Sequence, residues 1–259
     1  MNINILAIGD VTSPGGLAHL HNELWRVRRE ENIDFCIVNG ENASLISGIS
    51  PEGAVDLLQS GADVITGGNH TLRNKATYTA LDDEEALLRP LNFTAEAPGH
   101  GYTVRTVGGV RILVLNAMGN VMIDPVLDSP YTAIDRILER EAGAYDIAVM
   151  DFHAEASGEK VAMGYAYDGK IQVIFGTHTH VPTADLRILP RGTGYVTDLG
   201  MCGESGGVLG MDSALVVRKM RTHLPVRFRP AAGPVVADGV IFTVNTETKK
   251  TVSVRRVAF

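Results

Sequence analysis

Short apolar runs that stop abruptly in clusters of Gly, Asn, Asp, Glu and His set the pattern of this chain. Ile3–Ile8 is too short for a helix and is bounded by Gly9-Asp10, so it reads as a buried strand. Ile33–Val38 stops at Asn39-Gly40-Glu41-Asn42, and Ala62–Thr66 stops at Gly67-Gly68-Asn69-His70. Asp146–Met150 stops at Asp151-Phe152-His153, and Ile171–Phe175 at Gly176-Thr177-His178-Thr179-His180. Helix signals fall between the first strands. Ser13-Pro14 opens a helix running to about Glu31, and Ser50-Pro51-Glu52 opens one that closes near Gly61, each with Pro suited to the first turn. Tyr131–Glu141 reads as helical, and Tyr102–Val107 with Val110–Asn116 as a hairpin across Gly108-Gly109. β-like runs follow at Gly194–Thr197, Ser213–Arg218, Gly239–Asn245 and Thr251–Val257, and Gly200–Gly210 reads as a mobile Gly-rich loop near the rim.

Alternating strands and helices predict an α/β fold with a mostly parallel sheet in the first part. The β-rich final third predicts a second sheet packed against it. No internal repeat, low-complexity segment or long linker interrupts the pattern, so residues 1–259 are expected to form one domain.

Composition narrows the function classes. The chain has 259 residues, 45% hydrophobic and 20% charged, the values of a folded globular protein rather than a disordered or fibrous one. No run approaches the ~18 apolar residues of a membrane span, so no membrane role is expected. No basic segment precedes Ile3, so no signal peptide is visible and the expected location is the cytoplasm. Cys36 and Cys202 then read as reduced thiols, Cys36 as core filler and Cys202 as incidental. Lys and Arg number 23 against 30 Asp and Glu, a net charge of −7. Duplex DNA is an unsuitable partner for a chain this acidic. Residues 215–259 are locally basic, with nine Lys and Arg against two acids. That tail reads as a solvated face, with an anionic substrate or the acidic face of a second copy in a homo-oligomer as the alternatives.

The chemistry lies in the strand-end clusters. In open α/β sheets the carboxyl ends of strands share one rim, where ligands bind. Pooled there, the clusters offer Asp10, Glu41, Asn42, Asn69, His70, His153, His178 and His180, a set of oxygen and imidazole donors with no thiolate. Such a set suits hard or borderline divalent ions, and its size suits two of them. A carboxylate such as Glu41 can bridge ions ~3.5–4 Å apart, the spacing of two-metal hydrolytic sites. Each residue alone has a plainer reading: Asp10 as the cap of the next helix, Glu41 and Asn42 as loop polars, Asn69-His70 as a turn, His153 as a solvated helix start. His178 and His180, two apart and able to face one way, are the hardest to read otherwise. His19, His21, His100 and His223 lie outside every cluster and read as surface or core histidines.

These blocks, in this order, resemble the calcineurin-like metallophosphoesterase superfamily. The superfamily carries an Asp after the first strand, an acidic residue after the second, Gly-Asn-His after the third, a lone His later and Gly-His-x-His near the end. This chain has Gly9-Asp10, Gly40-Glu41-Asn42, Gly68-Asn69-His70, His153 and Gly176-Thr177-His178-Thr179-His180. The usual Asp-x-His of the first block is Asp10-Val11-Thr12 here, and the usual second-block Asp is Glu41 followed by Asn42. With the runs 151–160 and 178–185, these departures resemble the bacterial YmdB-type branch, di-iron or other di-metal phosphodiesterases associated with 2′,3′-cyclic nucleotides. The resemblance implies two packed mixed β-sheets flanked by helices, a four-layer sandwich. It implies one metal on Asp10, Glu41, Asn42 and His180, and a second on Glu41, Asn69, His153 and His178. It implies iron first, with manganese, zinc or nickel also accepted, and His70 beside the metals as proton donor to the leaving alkoxide. Asp151 or Asp185 would orient the imidazoles. Two other readings stay open: another dinuclear hydrolase acting on phosphomonoesters or amides, and a nonenzymatic regulator that binds nucleotide or RNA through the metals.

Overall fold

A computed structural model describes residues 1–44 and 48–259. The first strands and helices fall where the apolar runs and caps place them: β1 (Asn2–Ile8), β2 (Asp10–Val11), α1 (Pro14–Glu30), β3 (Phe35–Asn39), α2 (Pro51–Ser60) and β4 (Val64–Thr66). Ser13 caps α1 by accepting from the Gly16 amide, and Ser50 caps α2 by accepting from Gly53. Gly61 ends α2 at φ 111°, a left-handed turn that glycine adopts without a steric cost. The middle of the chain forms α3 (Tyr78–Asp83), β5 (Tyr102–Val107), β6 (Val110–Met118), α4 (Pro130–Arg140), β7 (Ile147–His153), α5 (Ser157–Ala166), β8 (Val173–Thr177), β9 (Arg187–Ile188) and β10 (Gly194–Val196). It ends with β11 (Met201–Glu204), α6 (Ser213–Thr222), β12 (Val235–Asn245) and β13 (Lys250–Ala258).

The strands make two mixed sheets flanked by helices. One runs β2-β11-β12-β1-β3-β4 with β13 also on β12; the other runs β5-β6-β7-β8-β10-β9. Within them β1, β3 and β4 are parallel, as are β6, β7, β8 and β10. The division differs from the expected one. The C-terminal strands β12 and β13 complete the first sheet, and the second sheet comes from the middle of the chain. Gly239–Asn245 lies antiparallel on β1, which closes the first sheet around its own N-terminal strand. Two local expectations are also corrected. Ser213–Arg218 is the start of α6, where Asp212 accepts hydrogen bonds from the Ala214 and Leu215 amides. Part of the expected loop 200–210 is β11, paired with both β2 and β12.

Period-two alternation sorts the apolar runs into three cores. Along β1, Ile3, Ile5 and Ala7 face the second sheet, while Leu6 and Ile8 pack under Leu20, Leu24 and Leu57 of α1 and α2. Along β7, Ile147 and Val149 face the first sheet, while Ala148, Met150 and Phe152 pack with Ala133, Ile134 and Met163 of α4 and α5. The order of layers is therefore helices, sheet, sheet, helices. Buried on both faces, the central strands need unbroken apolar runs, which is what the sequence carries.

Candidate active site

The alternation that builds the inter-sheet core also places the chemistry. Val64, Phe35 and Ile37, Ile147 and Val149, and Val173 and Phe175 fill that core, and two residues beyond the last of each run the same faces present Thr66, Asn39, Asp151 and Thr177. These four form a buried polar layer. Asp151 accepts from Asn39 Nδ2 at 2.9 Å, Thr66 Oγ1 at 2.5 Å and Thr177 Oγ1 at 2.7 Å. Burial pushes its carboxyl up to about 7 against the pull of those donors. Beyond this layer, on the rim shared by the parallel strands, lie Asp10, Glu41 and His153, all at most 1% exposed.

All eight sequence-predicted residues reach this rim. His153 Nε2 lies 3.2 Å from Asn69 Oδ1, 3.2 Å from His178 Nδ1 and 3.8 Å from Glu41 Oε1. His180 Nε2 lies 3.6 Å from Asp10 Oδ1 and 3.5 Å from Asn42 Nδ2. Asp10 Oδ2 accepts from the His178 amide at 3.0 Å. The amide of His70 donates to Glu41 Oε1, and His70 Nδ1 lies 2.8 Å from Asn42 Oδ1. Two of the plainer readings do not hold: Ser13 rather than Asp10 caps α1, and His153 is wholly buried at the end of β7. The remaining histidines lie elsewhere. His19 meets the Phe259 carbonyl, His21 pairs with Asp56, and His223 ends α6.

The hydrogen bonds behind the rim fix which nitrogens face inward. Thr177 Oγ1 spends its proton on Asp151 Oδ1, so it must accept from His153 Nδ1–H at 2.9 Å. The inward Nε2 of His153 then carries a lone pair. His178 Nε2 lies 3.0 Å from Glu155 Oε2, a contact that favours the proton on Nε2 and a lone pair on Nδ1. Two imidazole nitrogens, an amide oxygen and the Glu41 carboxyl thus crowd one another at the rim. Protonating an imidazole would relieve this, but burial lowers the pKa of both His153 and His178, despite the opposing pull of Asp10.

The carboxylates tell the same story. Burial raises Glu41 well above the usual carboxylate range, its amide donors partly offset this, and the neighbouring Asp10 raises it further. Burial also acts to raise Asp10, but His180 and His153 outweigh it and hold Asp10 well below its ordinary value. Burial lowers His180, and Asp10 more than reverses that. Asp10 Oδ1 and His180 Nδ1 are buried side-chain atoms without a hydrogen-bond partner. Among the described residues no group of three or more His, Cys, Asp or Glu side chains is already set to hold a metal ion. The facing donor pairs stand 3.2–3.8 Å apart, against the ~3.0–3.5 Å edges that ~2.0–2.2 Å bonds to one ion would give. Nitrogen and oxygen donors without sulfur suit iron, manganese, zinc or nickel.

Several supporting residues were not singled out by the sequence. Lys160, 1% exposed, donates to the Thr177 carbonyl and to Asp198 Oδ2, both at 2.7 Å. Asp198 Oδ2 also accepts from the Thr179 amide at 3.0 Å. The pair clamps the turn that holds His178 at φ 97° and His180 at φ 62°, a left-handed backbone that costs a non-glycine residue energy and persists only when held. Glu155 and Thr177 were likewise passed over. Their types are ordinary, and only three-dimensional proximity shows what they orient. Of the two carboxylates expected to orient imidazoles, Asp151 does so through Thr177, while Asp185 holds Thr183 and Thr197. Gly68 is required for a different reason: a Cβ there would stand 2.2 Å from the His153 ring.

A cavity of about 270 Å³ opens beside His70 and Asn42 and is lined beyond them by Thr12, Ser13, Pro14, Ser44, Arg73, Met211, Phe228, Arg229 and Pro230. Burial, Arg73 and His178 lower His70 to about 4, so its imidazole is neutral near pH 7.

Comparison with known proteins gives this geometry its relatives. Residues 6–257 match the model of a family described as YmdB-like protein. The chain is 40% identical over 255 residues to a 2′,3′-cyclic-nucleotide 2′-phosphodiesterase of Bacillus subtilis, covering 98% of this chain and 96% of that one. A crystal structure described as a novel phosphatase, from Mycoplasma pneumoniae, superposes with a TM-score of 0.93 at 32% identity over 100% of this chain and 94% of that one. A 5′-nucleotidase precursor from Thermus thermophilus shares the fold alone, with a TM-score of 0.56 at 12% identity over 100% of this chain and 54% of that one.

Proposed function

The chain belongs to the YmdB-like family, and on that premise we propose that it hydrolyses 2′,3′-cyclic nucleotides at a two-metal centre. The observation that supports the metal centre is the gathering of His178 Nδ1, Asn69 Oδ1 and Glu41 Oε1 within 3.2–3.8 Å of His153 Nε2 at one buried rim, a donor set that suits a cation. The substrate class rests on the B. subtilis relative. In this reading Asp10, Glu41, Asn42 and His180 would hold one ion, and Glu41, Asn69, His153 and His178 would hold the other, with iron the first assignment. When bound, the two ions supply positive charge that offsets the phosphodiester and makes water nucleophilic near neutral pH.

The chain's own residues do the rest. Thr177 and Asp151 hold His153 in the tautomer that presents Nε2, and Glu155 does the same for Nδ1 of His178. Lys160 and Asp198 hold the backbone turn that aims His178 and His180. His70, tethered through Nδ1 to Asn42, is left with Nε2 for the cleft. The anionic phosphodiester favours its protonated form, and Nε2–H then gives its proton to the leaving O2′ alkoxide as the P–O2′ bond breaks. A 3′-nucleotide is the product.

The test is an assay of purified, metal-loaded protein against 2′,3′-cyclic nucleotides, 3′,5′-cyclic nucleotides, phosphomonoesters and amides. Turnover of the 2′,3′-cyclic substrates, abolished by chelation and restored by metal, is the expected result. Turnover confined to monoesters or amides, or tight nucleotide binding without turnover, would exclude this reading.

A further inference from the structure

We propose that the cleft beside His70 seats the nucleoside of the substrate, with its base against Phe228 and Met211 and without selection among the four bases. The proposal deepens the phosphodiesterase reading and rests on it. The cleft is continuous with the site through Asn42 and His70, so a phosphate at the rim places whatever it carries here. At about 270 Å³ it is a small ligand cleft, the size of one nucleoside rather than of a protein segment. Its far wall is apolar: Met211, Phe228, Pro230 and Pro14. Phe228 is 47% exposed, a large aromatic side chain left open at the mouth of the cleft rather than buried in a core. Every base has a π-face that can lie on such a ring.

The polar groups of the wall decide the selectivity. Thr12 Oγ1 donates to the Cys202 carbonyl, Ser13 Oγ donates to Glu204, Ser44 is likewise engaged, and Arg229 is paired with Asp212 at 2.8 Å. These groups are already engaged within the chain and are not free to read base edges. Arg73 is different. Its guanidinium has no hydrogen-bond or ion-pair partner among the described residues, and it lies close enough to His70 to depress it. It suits the phosphate or ribose side of the ligand rather than the base, because its five donors and fixed charge match anionic oxygens.

The experiment compares wild type, Phe228→Ala and Phe228→Trp on the four 2′,3′-cyclic nucleotides and on ribose 2′,3′-cyclic phosphate, which lacks a base. The expected result is a ratio of nucleotide to base-free kcat/KM that falls ~10-fold in Phe228→Ala, through KM, and recovers in Phe228→Trp. Among the four nucleotides kcat/KM of the wild type stays within ~5-fold. Calorimetric binding of adenosine 3′-monophosphate against ribose phosphate gives the same comparison without turnover. If the wild type hydrolyses no diester, the phosphodiesterase reading fails, while the binding comparison still decides the subsite. An unchanged ratio in Phe228→Ala, a base preference beyond ~100-fold, or equal binding of the two ligands by wild type would overturn the proposal.

Discussion

At the scale of single residues, position matters more than residue type. His153 presents Nε2 inward because Thr177 takes its outer proton, and Glu155 beside His178 Nε2 favours an inward Nδ1 for that ring. Two carboxylates of the same cluster move in opposite directions: Asp10 is held low by imidazoles, and Glu41 is raised by burial and by Asp10. Glu41 therefore retains a proton in the metal-free protein beyond the ordinary carboxylate range. Metal loading near neutral pH should release that proton, so affinity falls as pH falls. Calorimetry in two buffers of different ionisation enthalpy would measure the release; heats independent of buffer would contradict it. His70 makes a separate prediction. Because it stands beside the donors rather than among them, His70→Ala should keep its metal and lose ~10²-fold or more in kcat. Loss of metal in that variant would make His70 a ligand instead.

At the scale of elements, the sequence was legible where one physical rule dominates. Buried strands must be apolar throughout, so Ile3–Ile8, Ile33–Val38 and Ile171–Phe175 announce β1, β3 and β8 within a residue or two. Ser-Pro and Gly mark the ends of α1 and α2 because capping is local chemistry. Reading failed where tertiary context overrides propensity. Val216 and Val217 made Ser213–Arg218 look like a strand, but the Asp212 cap and one buried face make it a helix. The glycines of 200–210 concealed β11, which exists because β2 and β12 offer it partners on both sides. The eight residues that gather at the rim were all legible, since each lies at or just beyond a strand end. Lys160 and Asp198 were not, because their pairing across 38 positions has no local signature. Lys160→Met should leave Asp198 buried without its cation and cost ~3–5 kcal/mol, read by denaturant unfolding. Adding Asp198→Leu should recover most of that loss. A single variant as stable as wild type would show that the pair does not hold the turn.

At the scale of the whole molecule, the four layers explain why a site can sit at this rim at all. Each sheet is covered on both faces, so its loops are free of packing duties and can carry ligands. The basic C-terminal segment, expected to be a solvated face, is partly neutralised inside the chain: Arg229 pairs with Asp212 and Arg255 with Glu31. No helix among the described residues is long and apolar enough to cross a membrane. The claim on which the molecule's function depends is that five strand ends, distant in sequence, enclose two cations that share Glu41. The most direct measurement is the metal content of purified, metal-loaded wild type and Glu41→Ala, by elemental analysis after desalting. Two ions per chain in the wild type, and loss of both in the variant, is the expected result. One ion per chain in wild type, or a full complement in Glu41→Ala, would contradict it.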